Sequence, residues 1–196
     1  MKSGEDNTNT EPQVYFKGHL LTAMPALNDP NFSKTVTCIC EHSDDGAVGL
    51  IINRKHPYLK AKDVFEELGI ESEGDAGSIP IHIGGPVHIG EIFILHGPPF
   101  SWMGCAMVTP WLAMSNTRDI LESIALKKGP GSFIIALGCA GWAPNQLETE
   151  IKRNSWLTCP VTSDLVFETT VESTWEVTMK SMGIDPMLIS DRAGQA

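Results

Sequence analysis

Two β-rich runs, Thr35 to Glu41 and Ala47 to Asn53, lie either side of His42-Ser-Asp-Asp-Gly46. Asp45-Gly46 supplies the positive-φ turn of a tight antiparallel hairpin, so the pattern predicts one here. His19 to Met24 reads as a first strand, stopped by Pro25. Ile79 to Ile83 and Glu91 to Leu95 are further strands, joined through Gly84-Gly-Pro-Val-His-Ile-Gly90, and Cys105 to Thr109 and Trp156 to Val161 add two more. Helical spacing appears at Ala61 to Leu68, where Val64, Phe65 and Leu68 share one face before Gly69. It returns after the capping residues Ser115, Asn116 and Thr117, with Ile120, Leu121 and Ile124 as the apolar face. Lys127-Lys128 suits the negative end of that helix, and Gly129-Pro-Gly131 stops it. Val171 to Met182 is a mostly buried helix ended by Gly183, and Ser163 to Phe167 a short turn or helix. Asn28–Asn31, Glu71–Ser78 and the proline- and glycine-rich Gly97–Gly104 are loops. Strands and helices mix without strict βαβ alternation. That predicts an α+β fold, a single domain with a mixed, largely antiparallel sheet and flanking helices.

The densest stretch runs from Phe133 to Trp156. Phe133 to Leu137 fits a buried strand, and Gly138 and Gly141 allow backbone turns that a side chain would obstruct. Pro144 suits a first helical position, and Leu147 and Ile151 put an apolar stripe on a helix towards Arg153. Strand, glycine turn and helix make a possible ligand platform, because first-turn N–H groups are unsatisfied within a helix and attract anionic or carbonyl groups. Its candidate ligand-binding residues are Gly138, Gly141, Trp142, Asn145 and Gln146, with Trp142 as a wall and Gln146 as an orienting amide. The opposing expectation is that Trp142 and Trp156 fold over the turn and seal it as core.

The chain is long enough to bury a real core, at 196 residues, 42% hydrophobic and 19% charged. Residues 1–13 hold almost no apolar side chain and read as a disordered tail, leaving 14–196 as the domain. A net charge of −10 repels phosphate backbones, so direct nucleic-acid binding is disfavoured. No apolar run approaches a bilayer span, and Met1 to Glu11 lacks a secretory h-region, which predicts no membrane association and a cytoplasmic location. Five cysteines, an odd number at irregular spacings, fit that compartment better than a disulfide framework.

Complete catalytic motifs are missing. Cys38, Cys40 and His42 alternate and would share one face of a strand, yet same-face neighbours stand about 6.5 Å apart, wide for adjacent ligands of one tetrahedral ion. The expectation is core cysteines, no bound metal and no cofactor. His82 and His88 flank Gly84-Gly-Pro86 and His96 ends the next strand. His96 is read as satisfying a backbone group, His82 and His88 as surface residues. A nucleophilic pair of Cys139 with one of these histidines exists only on paper, since geometry defines such a pair. Gly84-Gly85-Pro86 is no phosphate loop, and Gly138-x-x-Gly141 lacks the third glycine of a dinucleotide fingerprint.

Gly138-Cys-Ala-Gly-Trp142 with Gln146-Leu-Glu148 and Asn154-x-Trp156-Leu157 resembles the YqgE/AlgH family. So do Gly18-x-Leu-Leu-x-Ala-Met-Pro25, Glu41-His42, Gly49-Leu-Ile-Ile-Asn53, Gly84-Gly-Pro-Val87, Leu95-His96 and Gly183-Ile-Asp185, in the family's order from Phe16 onward. The resemblance implies an α+β, cytosolic bacterial protein of uncharacterised activity whose label carries a role in transcriptional regulation. Two departures stand out: the family usually has tyrosine at Cys139 and glycine at Asn145. The combined expectation is a non-enzymatic cytosolic binding or regulatory protein that meets a protein partner or small ligand. The alternative is an enzyme of hydrolase type with a site assembled from loops.

Overall fold

The computed structural model describes residues 15–189, so the expected tail at 1–13 lies outside the described residues. Among these, ten strands form one sheet. They are β1 His19–Ala23, β2 Val36–Ser43, β3 Gly46–Ile51, β4 Lys55–Lys60, β5 Pro80–Ile83, β6 Val87–His96, β7 Ala106–Thr109, β8 Leu112–Ser115, β9 Phe133–Trp142 and β10 Trp156–Pro160. The helices are α1 Ala61–Glu67, α2 Arg118–Ala125, α3 Gln146–Lys152 and α4 Thr174–Ser181. Across the sheet the order is β10-β1-β2-β3-β9-β6-β8-β7, with β5 beside β9 and β4 beside β5. Only β5 and β9 run parallel. The fold is the mixed, largely antiparallel α+β arrangement that the pattern predicts.

β9 is the hub. Ile135 to Leu137 pair with β5 on one edge and with β6 on the other, while Ala140 to Trp142 pair with β3. One face of the sheet, carrying Leu50, Ile52, Ile134, Ala136 and Cys139, packs against Val166, Trp175 and Met179 from the segment around α4. The opposite face carries two clusters. Ile81, Ile94 and Ile135 pack with α1 and α2, and Leu21, Ile39 and Ala140 pack with Leu147 of α3. No helix among the described residues is long and apolar enough to cross a membrane.

Two bulges decide which side chains face which layer. In β2 the register slips between Ile39 and Glu41, so Cys40 is the extra residue. Cys38 and Cys40 enter the α4-side core, but His42, paired with Ala47, lies with the α3 cluster's side of the sheet. The expected shared face of Cys38, Cys40 and His42 is thus broken by one inserted residue. In the β6–β9 pairing the register slips between Val87 and Ile92, where residues 88–91 of β6 stand against Gly138 alone, whose φ is 72°. Ile134 and Ala136 face α4 before it; Cys139 does so after it, and Ala140 and Trp142 face α3. Gly138 is therefore a kink inside a continuous ten-residue strand, not a turn that ends one.

Two further expectations need adjustment, and two strands were not expected at all. The hairpin pairs as predicted, but Ser43 opposes Gly46, so the turn residues are Asp44 and Asp45. Pro144 is not at the helix start: the Gln146 amide bonds the Ala143 carbonyl across Pro144 and Asn145, and α3 follows. Pro144 and Asn145, whose φ is 61°, occupy the corners of a turn of type II character, which needs a positive φ at its second corner. β4, interrupted in character by Pro57, and the short β8 were not signalled by period or propensity.

Candidate functional site

A cleft of about 350 Å³ opens where the start of β9 meets the segment before α4. The sheet contributes Ile52, His82 and Ile134, and the opposite wall is Val166, Phe167 and Glu168. That wall is a π-helical turn, Asp164–Glu168, in which the Thr169 amide bonds the Asp164 carbonyl five residues back at 2.9 Å. Such turns are rare and recur at functional sites. Leu165 and Val166 anchor it in the core, which leaves Phe167 half-buried and Glu168 exposed at the rim.

His82 is the polar centre of the cleft. Strand alternation sends Ile81 into the α1/α2 cluster and His82 to the other face. The sequence placed it on the surface; the π turn, contributed by a segment some eighty residues later, covers it to 6% exposure. Its Nδ1 has no hydrogen-bond partner. Burial, aided by the Lys55 charge, pushes the ring down to about 4 against the opposing pull of the Ile52 backbone. Near neutral pH the ring is uncharged, one nitrogen carrying a proton and the other a lone pair. A buried polar atom left unmet costs about 1–3 kcal/mol, which a complementary ligand group recovers.

The Gly138–Gln146 segment is arranged differently. Trp142 is 5% exposed and packs edge-on against Trp156 at 6.1 Å between ring centres. Both indole N–H groups donate to Glu150 Oε2 at 2.9 Å, and Gln146 Nε2 donates to Glu150 Oε1 at 2.9 Å. The Ala143 amide donates to Gln146 Oε1. Asn145 holds the positive-φ corner and Gly141 is exposed beside Val87. These side chains bond one another.

The other histidines each have separate surroundings. His96 is fully buried: Nδ1 donates to the Gly97 carbonyl at 2.7 Å, so Nε2 accepts from Ser115 Oγ at 3.0 Å. The strand-end reading of His96 matches this geometry. Cys105 Sγ, not that of Cys139, approaches the same nitrogen, at 4.0 Å. His88 pairs with Glu91 on the exposed first half of β6, and Cys139 is a buried thiol pushed up by burial and by Glu91. Among the described residues no group of three His, Cys, Asp or Glu side chains is placed to hold a metal ion. No motif could have singled out His82, because its partner wall is remote in sequence.

The profile of the AlgH-like family (DUF179) matches residues 20–187. A UPF0301 protein of Desulforapulum autotrophicum is 53% identical over 180 residues, covering 92% of this chain and 95% of that one. A UPF0301 protein of Paracoccus denitrificans is 43% identical over 91% of this chain and 96% of its own. The solution structure of AlgH from Pseudomonas aeruginosa superposes with a TM-score of 0.75 at 35% identity, over the whole of both chains. A crystal structure of the protein DIP2367 from Corynebacterium diphtheriae, at 20% identity and a TM-score of 0.69 over 87% of this chain and 89% of that one, shares the fold. By sequence and by architecture, the chain belongs to the AlgH-like family.

Proposed function

We propose that the protein is a non-catalytic cytosolic binding protein, and that its regulatory contacts depend on a small ligand held in the His82 cleft. The single observation that carries this is the buried, unmet Nδ1 of His82 on the wall of the cleft. The volume of about 350 Å³ lies at the small end of ligand sites, which run from about 300 to 1,000 Å³. Its lining joins the apolar side chains of Ile52, Ile134, Val166 and Phe167 to the polar ones of His82, Ser132, Glu168 and Thr169. The acidic balance, −10 overall, supports regulation without direct DNA contact. The Gly138–Gln146 segment is the weaker ligand platform, since its polar groups are already engaged.

The test is amide-resolved NMR with benzylamine, benzyl alcohol and benzoate as probes. At least one probe is expected to move the Ile52, His82, Phe167 and Val171 signals together, and His82→Phe to reduce that response. Responses spread over unrelated surfaces, or none from any probe, would overturn the reading. So would a duplex-DNA complex that weakens steeply with salt.

A second reading, a hydrolase, is favoured by the Ser115–His96 contact, which has the donor–acceptor order of a nucleophile and base. Ser115 is only 1% exposed, which denies a substrate carbonyl access to its oxygen. Hydrolysis of p-nitrophenyl acetate that disappears in Ser115→Ala would establish this reading.

A further inference from the structure

We infer that His42 is an acid-sensitive latch. While neutral it holds residues 15–18, a strap ahead of β1, against β2, and on taking up a proton it lets the strap go.

The latch stands on two hydrogen bonds of opposite polarity. The Phe16 amide donates to His42 Nδ1 at 2.8 Å, and a main-chain N–H can only donate, so that nitrogen carries a lone pair. Nε2 therefore holds the ring proton and donates it to Glu148 Oε1 of α3 at 2.9 Å. This pairing fixes the tautomer and requires the neutral ring. The His42 side chain is only 1% exposed, so water does not replace the Phe16 donor while the strap is seated.

Protonation acts on the two bonds in opposite directions. Imidazolium keeps its donor to Glu148 and turns that contact into a charge-assisted pair. At Nδ1 the new N–H meets the N–H of Phe16, so a bond becomes a conflict between two buried donors. The ring stays with α3, and the strap yields.

The remaining tethers are weaker. Tyr15 donates its hydroxyl to Asp44 Oδ1 at 2.7 Å, and Lys17 Nζ meets Glu41 Oε1 at 3.2 Å. Both lie at the surface, where such pairs contribute little. Phe16 stacks on the His42 ring, 5.8 Å between centres and 17° between planes, and Tyr15 packs edge-on to it at 5.4 Å. A cation also stacks well on an aromatic face, so these contacts slow release without restoring the lost main-chain bond. Gly18, with φ 76°, donates its amide to the Ile39 carbonyl at 2.9 Å and forms the hinge where the strap joins the sheet. The titratable groups facing the ring are Glu148 on α3, Glu41 and Asp44 on β2 and its hairpin, and Tyr15, Lys17 and His19 on the strap and β1. His19 is the other imidazole among them, and its ring signals are followed separately.

The test is an NMR titration of the labelled chain from about pH 8 to about pH 5. Ring nitrogen shifts report the protonation of His42, and amide relaxation reports strap motion on the ps–ns scale. Tyr15, Phe16 and Lys17 are expected to be as rigid as β2 while the ring is neutral and mobile once it is charged, with one shared midpoint. The amides of Ile94 and Leu95 in the core should not change. His42→Asn sets a side-chain oxygen near the place of Nδ1 and cannot take a proton, so its strap should stay seated throughout. Should that variant fail to fold, Glu148→Gln carries the test from a partly exposed position. It keeps an acceptor for Nε2 but no charge, so release should need a pH lower by about half a unit, a shift that a merely structural ring would not show. A strap that stays rigid while His42 titrates overturns the latch. So does mobility that appears only as the Ile94 and Leu95 signals are lost, a His42→Asn strap that loosens with the parent's midpoint, or a midpoint that Glu148→Gln leaves in place.

Discussion

A side chain at Gly85 would place its Cβ 2.2 Å from the carbonyl carbon of Cys139, and one at Gly84 would lie 2.2 Å from the Gly138 oxygen. The cause is topological. β5 and β6 flank opposite edges of β9, and only Gly84, Gly85 and Pro86 separate them in sequence. The chain must cross β9 in three residues, main chain against main chain, and Gly138 answers from below with φ 72°. Both edges are then sewn in place: the Gly84 amide bonds the Leu137 carbonyl and its own carbonyl accepts from Ile51, at 2.8 and 2.9 Å. Gly85→Ala therefore meets rigid backbone and an unfavourable φ of 155° together. It is expected to destabilise by about 3 kcal/mol or more, the upper range of overpacking, measured by urea denaturation. A midpoint within error of the parent would show that the crossing is looser than this geometry. The glycine pair was visible in the sequence as something other than a phosphate loop. Its function as a crossing was not, because it depends on where β9 lies, nearly fifty residues away.

At the scale of elements, the three-residue accord of Trp142, Trp156 and Glu150 closes α3 over the sheet. Two buried indoles share one carboxylate oxygen, and Phe32 packs edge-on against Trp156 at 5.5 Å. Glu150→Ala leaves two indole N–H groups unmet under buried rings. The expected loss is about 2–4 kcal/mol, since hydrogen bonds to a charged group carry about 1.5–3 kcal/mol each and partial solvation recovers some. Glu150→Gln keeps the volume and one acceptor and should lose less. Tryptophan fluorescence during unfolding reads both; equal stability of the Ala and Gln variants would mean that the carboxylate does not hold the rings. The local patterns that make these elements were legible: the 2-residue period around Cys38 and Leu50, the helical spacing of Ile120, Leu121 and Ile124, the glycine stops. What escaped were the slip at Cys40 and the one in β6 opposite Gly138. A bulge inserts one residue against a partner strand, so its position is a property of the pair and leaves no mark in either strand's own period. The same limit hid the candidate cleft. His82 looked like a surface residue between apolar neighbours because the π turn that buries it belongs to another part of the chain.

For the whole molecule, the buried titratable groups set the pH range in which the fold is most stable. His82 falls from 6.5 to about 4 on folding, so between those values the unfolded chain binds a proton that the folded chain refuses. Stability is then complete above about 6.5 and declines as the pH drops towards 4, with a total on the order of 3 kcal/mol from this ring alone. His96, also lowered by burial, adds in the same direction. On the alkaline side the sign reverses. Hydrogen bonding to Cys38 and burial raise Cys40, and burial raises Cys139 and Cys159, above the ordinary thiol value of 9.0. The unfolded chain ionises first there, and stability falls as the pH rises through that value. Urea midpoints should accordingly be level between about pH 7 and 9 and fall on either side. The decisive comparison is the acid limb of His82→Phe. Removing the ring removes its proton linkage, so the variant, whatever its absolute stability, should lose less on going from pH 7 to pH 4.5 than the parent does. Parallel acid limbs would mean that His82 is protonated as readily in the fold as outside it. That result would deny the buried, neutral Nδ1 on which the cleft's chemistry is built.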